Sequence, residues 1–221
     1  MSENNQPIQR IQGNLLARSE RRVLTWLCAR LPGWVMPDHL TALGLVGAAM
    51  VLGGYAASAM DVQWLWLAIG GFVVHWFGDS LDGSLARYRS IERPKFGYFI
   101  DHSADGLGNL MIVGGLGLSP FVRLDVSLIA LAGYYLLSIH AFLVVRVLGE
   151  MRLSYAAAGP TELRLALIAM TLLMLSVGHA TPRVAGLSAF DLTVALVGAI
   201  LILLFVFQTV VTGRRIAKLG E

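Results

Sequence analysis

Six apolar runs of membrane-spanning length dominate this sequence of 221 residues. A helix of about 20 apolar residues crosses the hydrocarbon core of a bilayer. Apolar runs of this length, separated by short segments that contain Pro, Gly or charged residues, indicate such helices. We therefore predict an all-α, polytopic membrane protein with a bundle of six transmembrane helices. The predicted spans cover residues 40–60, 62–87, 96–118, 126–148, 161–177 and 192–211.

The composition excludes the other broad classes of protein. Apolar residues make up 56% of the chain and charged residues 14%, whereas soluble globular domains contain about 25% charged residues. A disordered chain would contain far less apolar material. The single cysteine, Cys28, cannot form an intramolecular disulfide or a cysteine-based metal site, so it gives no sign of an oxidising compartment.

Basic residues determine the predicted orientation, because Lys and Arg collect on the cytoplasmic side of short loops. With six spans, all but two of the 17 basic residues, Arg123 and Arg183, fall on the face that contains both termini. We therefore predict cytoplasmic termini in a membrane of the bacterial inner or cytoplasmic type. The basic face meets anionic lipid headgroups, which explains the pI of about 9.3 without a nucleic-acid partner.

The N-terminal segment, residues 1–36, is predicted to be cytoplasmic and to contain an amphipathic juxtamembrane helix over residues 15–31. The apolar face of that helix consists of Leu24, Leu27, Cys28 and Leu31. A helix of this kind lies in the plane of the membrane surface; a solvated tail is the alternative. Residues 37–221 then form one six-helix transmembrane domain.

Small residues recur at every fourth position of the first predicted span, at Ala49, Gly53 and Ala57. Small residues at this spacing allow helix backbones to approach closely in a membrane. We expect this stripe to pack against another helix and assign no chemistry to it.

Four aspartates stand at the ends of two apolar runs, where lipid-facing residues are expected. Asp79 and Asp82 are three residues apart near the end of the second span, and Asp101 and Asp105 are four apart near the start of the third. These spacings place each pair on one face of its helix. A short basic connector joins the two helices, so the pairs can face each other at a similar depth.

A group of four carboxylates in a membrane requires a partner. Each Asp at the centre of a span costs about 2.5–3.5 kcal/mol on insertion scales, and unpaired carboxylates repel one another. Ion or proton pathways are the alternative for isolated acids. Oxygen ligands select hard cations such as Mg²⁺ or Mn²⁺, and four carboxylates are enough for two bridged ions. Gly83 would let a ligand approach the backbone and Arg87 could meet an anion, whereas His75 is expected to be a hydrogen-bonded packing residue.

The spacing around these aspartates resembles the signature of the CDP-alcohol phosphotransferase family. The matching pattern is Asp79-x2-Asp82-Gly83-x2-Ala86-Arg87-x9-Gly97-x3-Asp101-x3-Asp105. The six predicted spans, the basic face and the amphipathic N-terminal helix are also similar to that family. A further element, Pro37-Asp38-His39-Leu40-Thr41, is similar to the family's Pro-Asn-x-Leu-Thr, with Asp38 as a departure from it.

The resemblance implies an enzyme in which a hydroxyl attacks the β-phosphorus of a CDP-alcohol and CMP is released. It implies Mg²⁺ or Mn²⁺, as two ions held by Asp79, Asp82, Asp101 and Asp105. Asp105 would also be the general base. The nucleotide would lie against Thr41, Asp82, Gly83, Ala86 and Arg87. The family resemblance also suggests a homodimer with a cytoplasmic active site.

The resemblance leaves two branches of the family open. In each branch, either the donor or the acceptor is a lipid. In one branch CDP-diacylglycerol donates to a soluble alcohol such as glycerol phosphate, inositol phosphate or serine; in the other, CDP-choline or CDP-ethanolamine donates to diacylglycerol. Small size and six spans favour the first branch, and His102 after Asp101 favours the second. Candidate acceptor-binding residues are Arg146, Arg152, Glu162 and Arg164. Positive-inside placement explains the three arginines equally well, and Glu162 is first interpreted as part of a helix start. A cation transporter or a non-catalytic membrane subunit is the alternative of another class.

Overall fold

The computed structural model describes residues 9–11, 17–152, 159–180 and 182–218. Seven α-helices dominate this described part of the chain. They are α1 (Ala17–Cys28), α2 (Pro37–Ala57), α3 (Leu65–Tyr88), α4 (Pro94–Leu118), α5 (Leu124–Leu148), α6 (Pro160–Val177) and α7 (Ala189–Lys218). Two short pairs of strands accompany them: β1 (Gln9–Ile11) runs parallel to β2 (Glu150–Arg152), and β3 (Arg183–Val184) runs antiparallel to β4 (Leu187–Ser188).

The helices α2 to α6 coincide with five of the predicted apolar runs to within three residues, and α7 covers the sixth and extends beyond it to Lys218. The all-α class is therefore confirmed. Four of them, α2, α5, α6 and α7, are long and apolar enough to cross a membrane. The other two, α3 and α4, contain the four aspartates. Proline stands at the start of α2, α4 and α6, where its missing N–H costs no hydrogen bond.

The helix α2 is the centre of the bundle, because it packs against both α3 and α4. Its contact with α3 is made by glycine on both sides: a Cβ at Gly71 would lie 2.7 Å from the amide nitrogen of Val51. Gly44, Gly47 and Gly54 form the α2 side of this contact. Backbones approach this closely only where side chains are absent.

The predicted stripe of small residues is therefore wrong in its register. Ala49 is exposed, and nothing lies within 4 Å of a Cβ at Gly53. The contact uses the face of α2 that contains Gly47 and Gly54. Both faces offer small residues, and the fully buried Phe72 and Leu65 of α3 share one core cluster with Val51 and Tyr55 of α2.

A buried hydrogen bond links α2 to α6. The Tyr55 hydroxyl lies 2.6 Å from Thr171 Oγ1, and both side chains are fully buried. Thr171 donates its own proton to the carbonyl of Leu167 at 2.7 Å, so Tyr55 is the donor between the helices.

Replacing Tyr55 with Phe is expected to destabilise the bundle modestly. The change removes one donor and leaves Thr171 bonded within its helix. Hydrogen bonds between membrane helices contribute about 0.6 kcal/mol on average and at most about 1.7 kcal/mol. Unfolding in mixed detergent micelles measures this loss, and a loss far above that range would show that the ring also changes its packing.

The N-terminal helix α1 packs on protein with its predicted apolar face. Leu24 and Cys28 are buried against Leu81 and Leu85 of α3. The helix ends at Cys28, earlier than predicted, while residues 15 and 16 lie outside the described residues. Burial raises the pKa of the Cys28 thiol, and nearby Arg89 partly opposes this effect, so the side chain packs as an apolar group.

The segment between α1 and α2 is held by a single guanidinium. Arg89, at the end of α3, donates to four backbone carbonyls, those of Leu31, Pro32, Gly33 and Val35, at 2.6–3.3 Å. Arg89 therefore fixes the start of α2, and with it the position of Thr41, relative to α3.

Candidate active site

Acidic side chains from two helices line one small pocket. Asp79 and Asp82 come from α3, and Asp101 and Asp105 come from α4. The central helix α2 contributes Thr41 to the same lining. The structure thus brings together all four aspartates that the sequence predicts, and it does so through α2, against which both acidic helices pack.

Asp82 is the most enclosed of these carboxylates. Its side chain accepts a hydrogen bond from Thr41 Oγ1 at 2.7 Å, and only 7% of the residue is exposed. It lies within electrostatic range of both Asp79 and Asp101. The hydroxyl of Thr41 therefore orients one oxygen of Asp82 inside the pocket.

Asp79 forms an ion pair with Arg164 of α6. The two side chains are 23% and 12% exposed, so the pair is largely shielded from solvent. Charge-assisted bonds of an arginine to a carboxylate are strong and directional. Of the candidate acceptor-binding residues whose side chains the structure describes, Arg164 is the one placed against the acidic pocket.

Three ligand-type side chains of α4 lie close together. One ligand atom from each of Asp101, His102 and Asp105 is within 4.8 Å of the others, a group that could hold a metal ion. His102 Nδ1 lies 3.8 Å from a carboxylate oxygen of Asp101 and 3.7 Å from one of Asp105. The ring of Tyr98 stands edge-on to His102, with centroids 4.2 Å apart. The sequence motif gives His102 no ligand role, although its position between the two aspartates is a signal for one.

His75 is a second residue of the pocket for which the sequence predicts only a packing role. It lines the acidic pocket one turn before Asp79, and its Nδ1 is buried with no hydrogen-bond partner among the described residues. The expectation of a hydrogen-bonded packing residue is therefore wrong for this nitrogen. The spacing of His75, Asp79 and Asp82 on one helix face was the signal that could have found it.

The remaining motif residues of α3 lie beyond Asp82, between the pocket and the C-terminal end of the helix. Gly83, Ala86 and Arg87 are not part of the pocket lining. A Cβ at Gly83 would lie 3.3 Å from a guanidinium nitrogen of Arg87, so the Arg87 side chain folds back over this glycine. The exposed guanidinium therefore lies along the same helix as Asp79 and Asp82.

The described lining of the pocket does not include the other predicted acceptor-binding residues. Arg146 is exposed in the last turn of α5. Arg152 belongs to β2, and its side chain is outside what the structure describes. Glu162 caps α6 by accepting a hydrogen bond from the Gly159 amide at 3.0 Å, as the capping interpretation expects.

Comparison with known proteins identifies the family. The model of the CDP-alcohol phosphatidyltransferase family matches residues 34–211, which include α2 to α6 and most of α7. The chain belongs to the CDP-alcohol phosphatidyltransferase family.

Curated members of the CDP-alcohol phosphatidyltransferase group are similar to about half of this chain. An archaetidylinositol phosphate synthase from Pyrococcus horikoshii is 32% identical over 47% of this chain and 52% of its own length. A phosphatidylinositol phosphate synthase from Cutibacterium acnes is 32% identical over 41% of each chain. The human cholinephosphotransferase 1 is 30% identical over 43% of this chain and 25% of its own length. The chain thus spans about half or less of the length of these relatives.

The acidic pocket of this family member fits a divalent cation. Its lining contains four carboxylates from two helices, and hard cations prefer such oxygen ligands. The Arg164 side chain of α6 supplies a positive charge to this group through its ion pair with Asp79. The clustered atoms of Asp101, His102 and Asp105 therefore have the ligand chemistry and the spacing for a metal ion.

Proposed function

We propose that this protein transfers a substituted phosphate group from a CDP-alcohol, with CDP-diacylglycerol as the donor, to a hydroxyl acceptor and releases CMP. One observation carries the proposal: four aspartates of the family signature line a single pocket, with an arginine from a third helix beside them. A diphosphate substrate would add its own negative charge to that of the four aspartates, and bound cations are needed to neutralise this charge.

The proposed cofactors are two Mg²⁺ or Mn²⁺ ions, held by Asp79, Asp82, Asp101 and Asp105. Bound divalent cations neutralise charge on the phosphoryl oxygens and stabilise CMP as a leaving group. The hydrogen bond from Thr41 to Asp82 is expected to fix the orientation of one ligand. His102 supplies a nitrogen close to both aspartates of α4 and supports the orientation of that pair.

Asp105 is the proposed general base. Its carboxylate accepts the proton of the acceptor hydroxyl, while the hydroxyl oxygen forms a bond to the β-phosphorus and the bond from that phosphorus to CMP breaks. Its side chain is 38% exposed, so an incoming hydroxyl can reach it. A carboxylate in this position can act in proton transfer if it lies within hydrogen-bond reach of the substrate.

The nucleotide is proposed to lie along α3, against Asp82, Gly83, Ala86 and Arg87, with Thr41 opposite. The Arg87 guanidinium is exposed on this helix and can meet a phosphate oxygen. Gly83 leaves space at the backbone that only the mobile end of Arg87 approaches.

The acceptor is proposed to be a soluble alcohol with its own phosphate, held by Arg164. Guanidinium groups bind phosphate by paired hydrogen bonds. Arg164 lies beside Asp79, where an acceptor must be placed to reach the donor phosphorus. The names of the Pyrococcus and Cutibacterium relatives include inositol phosphate, which is an alcohol of this kind. Arg146, Arg152 and Glu162 stay secondary candidates for this role.

A second candidate is the aminoalcohol branch, in which CDP-choline or CDP-ethanolamine donates to diacylglycerol. Two observations favour it: His102 directly follows Asp101, and the human cholinephosphotransferase 1 is similar to part of this chain. The two relatives whose names include inositol phosphate favour the first branch.

The proposed setting is a multi-pass protein of the cytoplasmic membrane. In it, α2 to α7 span the bilayer as a catalytic domain over residues 37–221, with both termini and the pocket on the cytoplasmic side. Residues 1–36 include α1, which lies at the membrane surface with Val23 and Trp26 exposed toward the headgroups. Anionic lipids contact the basic face, and the active form is a homodimer, as the family resemblance suggests.

CMP release by the purified protein tests the function. We expect release with Mn²⁺ or Mg²⁺, CDP-diacylglycerol and inositol phosphate, and no release after chelation with EDTA. CDP-choline with diacylglycerol is the matched alternative. Release only from that pair would support the second candidate, and no release from any donor would contradict both.

A further inference from the structure

A carboxylate of the N-terminal helix joins the two helices that flank the pocket. One oxygen of Glu20, in α1, accepts hydrogen bonds from Thr161 Oγ1 of α6 at 2.6 Å and from Trp76 Nε1 of α3 at 2.9 Å. Ser80 Oγ of α3 lies 3.4 Å from the same oxygen. Hydrogen bonds to an ionised carboxylate are stronger than those between neutral groups.

These contacts lie next to the ion pair between Arg164 and Asp79 at the acidic pocket. Thr161 and Arg164 are three residues apart on α6, and Ser80 directly follows Asp79 on α3. Two links therefore join α3 to α6 within one helical turn. One runs through Glu20, and the other is the ion pair of Arg164 with Asp79. Side chains three apart share a helix face, so a change at Thr161 displaces Arg164 as well.

The helix that contains Glu20 is itself firmly docked. Leu24 and Cys28, one and two turns after Glu20, are buried against Leu81 and Leu85 of α3. Glu20 is thus held relative to α3 by apolar packing and by Trp76. The hydrogen bond from Thr161 to Glu20 therefore also holds the start of α6 in place relative to α3.

We infer that Glu20 is a positioning residue, which fixes the first turns of α6 so that the Arg164 guanidinium stays at the acidic pocket. This inference rests on the proposed function in one respect, since the effect on turnover requires that Arg164 acts in transfer. Glu20 contacts neither substrate nor metal in this role. The N-terminal helix is then part of the active site's support as well as a membrane-surface element.

Thr161→Val is the variant that tests this role, because it removes the hydroxyl and preserves shape and charge. We expect CMP release to fall about tenfold, since a misplacement of about 1 Å can cost about 10²-fold in rate. The Mn²⁺ affinity, measured by electron paramagnetic resonance without substrate, should stay within about twofold because the aspartates are retained. Thr161→Ser restores the donor and should restore turnover.

A double-mutant cycle separates positioning from simple loss of stability. In an Arg164→Gln background, Thr161→Val should cause no further loss of CMP release, since residues in one network are not additive. Thr25→Val is the matched control: its hydroxyl bonds only the Arg21 carbonyl of its own helix, and it should leave release unchanged.

Three results would overturn the role of Glu20: wild-type turnover in Thr161→Val, an equal loss in the Arg164→Gln background, or a parallel loss of Mn²⁺ affinity. The same cycle is measured on the midpoint of thermal unfolding, which needs no substrate. Non-additivity there with no CMP release from the wild-type protein would contradict the proposed function and leave the Glu20 contact intact. Additivity there would contradict the positioning role itself.

Discussion

Asp105→Asn is expected to reduce CMP release by about 10²–10⁴-fold, the contribution of a positioned acid–base group. Asparagine has the shape of aspartate and cannot accept the hydroxyl proton. The side chain is partly exposed and accepts no helix-capping bond, so the fold tolerates an amide there. The measurement is CMP release at saturating donor and Mn²⁺, together with CMP binding by calorimetry, which should be largely retained.

Asp125→Asn is the control for this substitution. Asp125 pairs with Arg123 at 2.7 Å on the surface, at the start of α5 and away from the acidic pocket. Its removal should leave turnover unchanged, because exposed ion pairs contribute little to stability. Near-normal turnover in Asp105→Asn would remove Asp105 as the base. If Asp105→Asn lost both CMP binding and turnover, Asp105 would instead be needed to form the nucleotide site.

The helices and the acidic pairs could be predicted from sequence because both depend on short-range information. A run of apolar residues long enough to span a bilayer determines a helix largely by itself. The spacing of Asp79 and Asp82, or of Asp101 and Asp105, determines a shared face within one helix. The convergence of all four carboxylates was therefore foreseen, and the pocket confirms it.

Contacts between helices could not be predicted in the same way. Positive-inside placement accounts for Arg89, and for Arg164 it is the alternative to acceptor binding. In the structure Arg164 pairs with Asp79, and Arg89 binds backbone carbonyls of the α1–α2 segment. The glycine face that α2 uses against α3 also differs from the predicted stripe, since two faces of α2 contain small residues. Which face is used depends on the fit of side chains from distant segments, and a single sequence pattern does not contain that information.

Gly78→Ala is expected to disrupt the contact between α2 and α3. A Cβ at Gly78 would lie 2.5 Å from the carbonyl oxygen of Leu40 and 2.6 Å from the Cα of Gly44, both backbone atoms that cannot rotate away. The two helices must then separate, and overpacking of this kind typically costs about 1–3 kcal/mol.

The same displacement should damage the active site, because Asp79 directly follows Gly78 and the bond from Thr41 to Asp82 crosses this contact at 2.7 Å. We expect CMP release to fall by more than about tenfold, since misplacement by about 1 Å can cost about 10²-fold. Gly70→Ala is the matched control in the same helix, because no neighbouring atom lies within 4 Å of a Cβ at this position. Its stability should be equal to that of the wild type or slightly higher, and its turnover should be retained. Thermal unfolding in detergent and CMP release are measured on both variants. If Gly78→Ala behaved like Gly70→Ala, the backbones of α2 and α3 would not approach as closely as the glycines require, and the placement of Thr41 beside Asp82 would lose its basis.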